Sequence, residues 1–266
     1  MKKMLGFMAG CDAEAMTQAA PVPASGPVRS VVKVRFESRH VPLAYYNDCF
    51  DLRVGDVVYV SGALAGEPGV VTSVSTKFRI HTGDYERVLS VLDLTIHGSF
   101  TRFRDKMVSQ PEIAISPEQF GSWVTPPVDP KKPPVEWDDE VISGEGYTID
   151  IQRIEDCEDL TPKIAQRAVD YCKEGRVRYL CVRSGVGRAY VEGSKWYRVD
   201  FRLSGGVMTE LYCDCPYPEL CKHEAAVALT LRMLSQEPNF QTEGDFMALD
   251  RCLFWQLASR SDSIRL

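Results

Sequence analysis

Alternating apolar and polar residues predict a small β domain in the first half of the chain. Val32, Val34 and Phe36 alternate with Lys33 and Arg35, which is the period of a strand with one buried face. Further apolar runs cover residues 57–60, 70–75 and 91–96. Turn-forming pairs that contain glycine precede the first two of these runs. We therefore expect a sheet of short strands over residues 30–101.

In the second half of the chain the pattern changes to a helix followed by a β-meander. Thr161 and Pro162 are typical of a helix start and Gly175 of a helix end, and apolar residues between them recur at helical spacing. Four strands separated by glycine-containing turns are expected at residues 177–183, 188–192, 195–203 and 207–212. Good helix formers follow His223, so a second helix is expected after the meander.

Two further helices are expected from local signals. Ser116 and Pro117 are typical of the first residues of a helix, and this short helix should end near residue 124. In the tail, a helical stripe capped by Asp245 is formed by Phe246, Leu249, Leu253 and Leu257. We expect this tail helix to pack on the domain before it, and a partner-binding helix is the alternative.

Proline and charge divide the chain into an α+β protein of two domains. Residues 55–75 resemble the strands of small SH3-like β-barrels, a pattern that does not define a function. The predicted units are a disordered leader at 1–29, a small β-barrel-like domain at 30–124, a proline-rich acidic linker at 125–144, a helix-and-meander domain at 145–237 and a C-terminal helix at 238–266. The acidic residues around the linker are expected to be solvated, and shielding of a basic surface on the next domain is the alternative.

Composition places the chain among ordinary globular proteins. It has 266 residues, 44% hydrophobic and 26% charged, and no apolar stretch long enough to cross a membrane. Its nine cysteines are odd in number and mostly scattered, which indicates reduced thiols in the cytoplasm rather than a disulfide framework. The first residues permit a lipoprotein signal ending at Cys11, but their short apolar core favours an unstructured leader.

The strongest chemical signal is a set of metal-ligand residues in one short stretch. Cys213, Cys215, Cys221 and His223 follow one another as C-x-C-x5-C-x-H. Three thiolates and one imidazole satisfy the tetrahedral preference of Zn²⁺, and a site with four protein ligands is structural rather than catalytic. The alternative is a group of ordinary buried thiols. If one ligand were not bound, water could enter and Glu224 would be a candidate base.

This stretch resembles the SWIM zinc finger, whose pattern is C-x-C, a variable loop and C-x-H before a small apolar helix. The segment AYVEGSKWYRV at residues 189–199 is similar to the sequence that precedes the ligands in bacterial SWIM proteins. The resemblance covers about residues 145–235. It implies DNA binding, or interaction with proteins such as helicases, chromatin ATPases and recombination factors.

Charge patterning suggests where a partner would bind. The net charge of −6 argues against binding of nucleic acid by bulk charge, but residues 161–209 are rich in lysine and arginine. The outward face of the meander is expected to carry cations interleaved with aromatic side chains, which suits phosphate contact and base stacking. The candidate residues are Arg188, Tyr190, Trp196, Arg198 and Arg202. A solvated sheet face is the alternative.

Three classes of function follow, and an enzyme is the least favoured. The chain contains no phosphate-binding loop of the GxxxxGK[ST] type, no G-x-S-x-G elbow and no HExxH motif. We therefore expect a non-catalytic zinc protein that binds nucleic acid, most simply DNA. The alternative is a protein-interaction adaptor for a helicase or a chromatin or recombination ATPase.

Overall fold

Two antiparallel sheets contain most of the strands in the computed structural model, which describes residues 29–127, residues 146–258 and the backbone of 264–265. The predicted leader and most of the predicted linker lie outside the described residues. The helices are α1 (Pro117–Val124), α2 (Pro162–Lys173), α3 (Lys222–Ser235) and α4 (Arg251–Ala258). The strands are β1 (Ser30–Arg35), β2 (Leu43–Asn47), β3 (Val57–Val60), β4 (Gly69–Ser75), β5 (Val88–Leu92), β6 (Gly98–Ser99), β7 (Thr101–Phe103), β8 (Lys106–Ser109), β9 (Ile149–Asp150), β10 (Val177–Arg183), β11 (Val186–Glu192), β12 (Trp196–Ser204), β13 (Val207–Cys213), β14 (Phe246–Asp250) and β15 (Ile264–Arg265).

The first sheet contains the strands predicted at residues 57–60 and 70–75 and the one that begins the first half, whereas the strand expected at 91–96 lies at Val88–Leu92. Its five strands have the order β2-β1-β4-β3-β5. Val32 and Val34 are fully buried and Phe36 nearly so, as the alternating pattern predicts, and they belong to a hydrophobic core made within residues 32–91. The outer strands approach each other at one bridge between Tyr46 and Arg87. The described strands do not close into a barrel, so the barrel itself stays a prediction.

The second sheet carries the cysteine-rich stretch at one end. Its eight strands have the order β7-β8-β14-β10-β11-β12-β13-β9. The four predicted strands are β10 to β13, with ends that differ from the prediction by no more than two residues. Along β12, Tyr197, Val199, Phe201 and Leu203 are buried, while the residues between them are partly or fully exposed. The predicted alternation is therefore confirmed.

Helices cover both faces of this sheet. On one face, α2 and α3 pack over a core that includes Ala168, Val199, Phe201 and Leu231. On the other face, α1 and α4 pack over Tyr179 and neighbouring apolar residues. Two helix starts are as predicted. The Ser116 hydroxyl accepts a hydrogen bond from the backbone N–H of Gln119, and the Thr161 hydroxyl accepts one from the backbone N–H of Ile164.

The predicted tail helix is wrong over residues 246–250, which form β14 in the interior of the second sheet. All five residues of β14 are buried, between β8 and β10. A strand that is buried on both faces shows no alternation and resembles a buried helix in sequence. The helix begins only at Arg251, and Asp250 caps it by accepting hydrogen bonds from the N–H groups of Cys252 and Leu253.

Residues 94–124 pack into the hydrophobic cores of the second sheet rather than into the core of the first sheet. Strands β7 and β8 form a hairpin that pairs with β14, and Ile96, Ile115 and Phe120 are buried among residues of the second sheet. Whether the parts of the chain on either side of residue 125 fold independently, as the predicted boundary implies, stays a prediction. None of the helices in the described part has the length and hydropathy of a membrane span.

Candidate metal centre

Two elements bring the four predicted ligands together. Cys213 is the last residue of β13, and Cys215 follows it in the loop. Cys221 is the N-cap residue of α3, and His223 lies in the first turn of that helix. The possible ligand atoms of the four side chains all lie within 4.8 Å of one another. The structure therefore places every residue of the C-x-C-x5-C-x-H pattern around one point.

Distances within the cluster fit a tetrahedral ion. The Nδ1 atom of His223 lies 3.6 Å from the Sγ of Cys213 and 3.7 Å from the Sγ of Cys221. Zinc bonds of about 2.3 Å to sulfur and about 2.0–2.1 Å to nitrogen, at a tetrahedral angle, give a nitrogen–sulfur separation of about 3.5–3.6 Å. The spacing of these atoms is therefore that of adjacent ligands on one metal ion, with Nδ1 as the imidazole donor.

A backbone clamp fixes the end of β13. The Asp214 N–H donates to the carbonyl of Arg198 at 3.1 Å, and the Arg198 N–H donates to the Asp214 carboxylate at 2.9 Å. Residues two apart on an extended segment point to the same side. The clamp therefore holds Cys213 and Cys215 on one side of the strand end.

The start of α3 uses a cysteine as its cap. The Sγ of Cys221 accepts a hydrogen bond from the backbone N–H of Glu224, and the Glu224 carboxylate accepts one from the Cys221 N–H at 2.7 Å. This is a capping box in which cysteine replaces serine or threonine. An N–H donor and the positive end of the helix dipole both stabilise a thiolate. Glu224 is buried in this structural role rather than free to act as a base.

The His223 ring is held by aromatic contacts. It stacks on Tyr197 with ring centroids 4.2 Å apart, and Tyr171 lies 5.5 Å away at a tilt. Burial, followed by the charge of Lys222, lowers the pKa of His223 to about 4. The imidazole is therefore neutral at neutral pH, as a metal ligand must be. Its Nε2 atom is buried and has no hydrogen-bond partner in the described part of the chain.

The thiols of the cluster lie close to one another and are partly or fully buried. The hydrogen bond with Cys213 and then burial raise the pKa of the Cys221 thiol, and burial raises the pKa of Cys215. A dication at the centre would favour the thiolates and displace these protons. The donor set, its spacing and its burial therefore fit a metal ion.

The five predicted nucleic-acid residues lie on one face of the second sheet, but α1 covers part of that face. Arg188 and Tyr190 of β11 are opposite Asp200 and Arg198 of β12. Tyr190 is 7% exposed and packs against Phe120 of α1. Trp196 meets the same ring edge-on at 6.0 Å. Neither aromatic side chain is presented as an open stacking surface.

Carboxylates accompany the three arginines of this face. Asp200 is 2.6 Å from Arg188 and 3.1 Å from Arg198, and Glu210 is 2.8 Å from Arg202. The face is therefore a network of paired charges, with Arg202 at its exposed side. The sequence predicted which cations share the face but not their acidic partners.

Sequence reasoning missed Tyr171 and Tyr197 as neighbours of the metal centre. Tyr197 was correctly predicted to point inward, and Tyr171 lies beside the apolar stripe of α2. Both have the pattern of ordinary core residues. The packing of α3 against α2 and against β12 brings them to His223.

Comparison with protein-family models, with curated proteins and with solved structures found no match to this chain.

Proposed function

We propose that the chain is a SWIM-type zinc protein in which one structural Zn²⁺ ties the end of β13 to the start of α3. The cluster of Cys213, Cys215, Cys221 and His223 carries the proposal, because its spacing is that of four tetrahedral ligands. Four protein ligands leave no position for water or substrate at the metal. The proposed role of the metal is therefore structural, and the chain is proposed not to be an enzyme.

Metal identity and donor set can be tested together. Protein purified without chelator should contain one equivalent of zinc by elemental analysis. Replacement by Co²⁺ should give the intense thiolate-to-metal absorption of a tetrahedral site with several sulfur ligands. A preparation without stoichiometric metal that also fails to take up Co²⁺ would contradict the proposal.

We further propose that the zinc-stabilised domain binds nucleic acid, most simply DNA. The support is the excess of cations in residues 161–209, together with the resemblance to SWIM fingers. Binding to labelled single- and double-stranded DNA and RNA should weaken as salt rises, because phosphate contacts release counterions. Fluorescence anisotropy with the zinc-loaded protein measures this. Absence of binding at low salt would remove the nucleic-acid role.

A second candidate is a protein-interaction adaptor, for instance for a helicase or a chromatin or recombination ATPase. The observation in its favour is the edge of β13 next to the metal centre. Strand β9 pairs only with Val207 and Met208, so in the described part of the chain the edge beyond them has no partner strand. Tyr212, on this part of β13, is 42% exposed. An unpaired strand edge is a site at which another chain can add a strand.

We also propose a cytoplasmic location for the chain and an SH3-like barrel for its first domain. A thiolate site requires reduced cysteines, and all eight described cysteines are free, which supports a cytoplasmic location. The approach of Tyr46 to Arg87 at the edges of the first sheet supports an SH3-like barrel for that domain.

A further inference from the structure

A basic and aromatic cluster lies directly against the metal centre, apart from the predicted nucleic-acid face. We call it the lysine–tyrosine cluster, and it consists of Tyr171, Arg176, Lys195, Tyr197 and Lys222. The Nζ of Lys222 is 4.5 Å from the ring centroid of Tyr171, and the Nζ of Lys195 is 5.4 Å from that of Tyr197. The His223 ring contacts both tyrosines. The cluster is thus connected to the metal ligands by aromatic packing.

Among the described residues, the two lysines have no acidic neighbour that pairs with them. Within the residues that the structure describes, neither Lys195 nor Lys222 has a carboxylate within ion-pair distance. Arg176 differs, because Glu174 pairs with it. The arginines of the predicted face are paired as well. As far as the described residues go, Lys195 and Lys222 are therefore positive charges that can pair with an external anion.

A glycine turn holds Lys195 against the two tyrosines. A Cβ atom on Gly193 would lie 2.8 Å from the Tyr197 ring and 3.3 Å from the hydroxyl of Tyr171. The hydroxyl groups of Ser194 and Tyr197 are 2.9 Å apart and form a hydrogen bond. Only glycine permits so close an approach at this position. The turn therefore fixes Lys195 on the side of the sheet where Tyr171 and Lys222 lie.

The tyrosines position the lysines and are not placed to stack on bases. Tyr197 is 9% exposed, and its ring stacks on His223. Tyr171 is half-buried, and its ring lies near both Lys222 and Arg176. Rings engaged in this way cannot also serve as a base-stacking platform of the kind that reads single strands. The exposed chemistry of the cluster is therefore cationic.

Helix α2 extends the positive surface. Arg167 and Lys163 are exposed and lie one and two turns before Tyr171, and side chains four apart share one flank of a helix. The three positions span about 12 Å along the axis. On this part of the helix Glu174 pairs with Arg176, while Asp170 accepts a hydrogen bond from the neutral Gln166 amide and keeps its charge.

We propose that the lysine–tyrosine cluster, continued by Arg167 and Lys163, is the surface that contacts the phosphate backbone of duplex DNA. The surface offers ammonium and guanidinium groups but no open aromatic face, so it binds phosphates without reading base sequence. A local cluster of this kind reconciles DNA binding with the net charge of −6. The proposal rests on the proposed nucleic-acid function and assigns its site.

The test compares two double variants of the full, zinc-loaded chain that lose the same charge. Lys195→Gln/Lys222→Gln removes the two unpaired lysines, and Arg198→Gln/Arg202→Gln removes two cations of the predicted face. Affinity for two unrelated labelled duplexes is measured by anisotropy over a salt series. The lysine variant should bind both duplexes about tenfold more weakly, with a salt slope reduced by about 2, roughly one per lost phosphate contact. The arginine variant should change affinity by less than about threefold and retain the slope.

Lys222 lies between two metal ligands, so Lys195→Gln alone provides a second test outside the ligand loop. It should retain stoichiometric zinc and reduce the salt slope by about 1. Binding lost in the arginine variant but kept in both lysine variants would overturn this site and leave the nucleic-acid function standing. Failure of the unmodified protein to bind DNA would overturn both. Lysine-dependent binding to phosphatidylserine vesicles, without binding to DNA, would also overturn the assignment to nucleic acid.

Discussion

Cys221 caps α3 and is also one of the four proposed metal ligands. Its sulfur lies 3.7 Å from the His223 Nδ1 and accepts a hydrogen bond from the backbone N–H of Glu224. Cys213, by contrast, ends a strand and has no capping role. A substitution at Cys213 therefore tests the contribution of the metal to stability without also removing a helix cap.

Cys213→Ser should reduce bound zinc well below one equivalent and lower the thermal midpoint. A structural zinc contributes on the order of 10 kcal/mol to the folding of its domain, and a hydroxyl is a poor replacement for a thiolate. Cys252→Ser is the matched control, since Cys252 is exposed and outside the cluster. Equal zinc content in both variants, measured by elemental analysis, would show that Cys213 is not a ligand.

Gly187 tests how closely β11 and β12 pack. A Cβ atom there would lie 2.2 Å from the Phe201 ring, whereas Gly83 has nothing within 4 Å of its Cβ position. Overpacking of this kind costs about 1–3 kcal/mol, so Gly187→Ala should lower the free energy of unfolding by that amount. Gly83→Ala should change it by less than about 0.5 kcal/mol. Denaturant titration measures the free energy of unfolding of both variants. Equal stability of the two variants would contradict the described packing.

At the scale of elements, the candidate metal centre lies between the end of β13 and the start of α3. The loop between Cys215 and Cys221 contains two prolines and no regular structure. A metal ion held by the four side chains would fix how α3 approaches β13.

Removal of zinc with a chelator should loosen this junction first. Hydrogen exchange should increase over residues 213–225, because the ligands no longer hold the loop and the first turn of α3. The first sheet has its own core and provides an internal control, since the exchange of β1 and β4 should not change. Uniform exchange across both sheets, before and after chelation, would contradict a structural role for the metal.

Elements with strong local signals could be predicted from the sequence, and so could the residues of the cysteine–histidine cluster. The caps at Ser116 and Thr161, the alternation in β12 and the cysteine–histidine spacing are local signals, because each one involves residues that are close together along the chain. Strand β14 could not be predicted, because burial on both faces removes its period. The pairing of β8 with β14 joins residues far apart in sequence, and no local pattern encodes it. The positions of Tyr171 and Tyr197 beside the metal depend on helix packing for the same reason.

At the scale of the molecule, residues 94–124 link the two halves of the chain. Lys106 on β8 is 2% exposed, and its Nζ donates to the carbonyl of Val177 on β10 at 2.9 Å. Phe120 of α1 stacks on Tyr179 with ring centroids 4.5 Å apart. The second sheet therefore depends on residues that precede the predicted linker.

Truncation tests this dependence directly. A chain of residues 94–266 should unfold cooperatively, because it retains β7, β8 and α1. A chain of residues 125–266 exposes the edge of β14 and the apolar face beneath α1, so it should aggregate or melt without a sharp transition. Calorimetry measures the cooperativity of unfolding, and binding of a hydrophobic dye measures the exposure of apolar surface. Equal cooperativity in the two chains would support the domain boundary predicted at residue 125.

The most direct test of the account is X-ray absorption at the zinc edge on the purified protein. Coordination by Cys213, Cys215, Cys221 and His223 predicts three sulfur neighbours at about 2.3 Å and one nitrogen at about 2.0 Å. A first shell with oxygen in place of a sulfur would indicate an open position and contradict the structural role. A protein that contains no zinc, and takes up none, would contradict the metal centre itself.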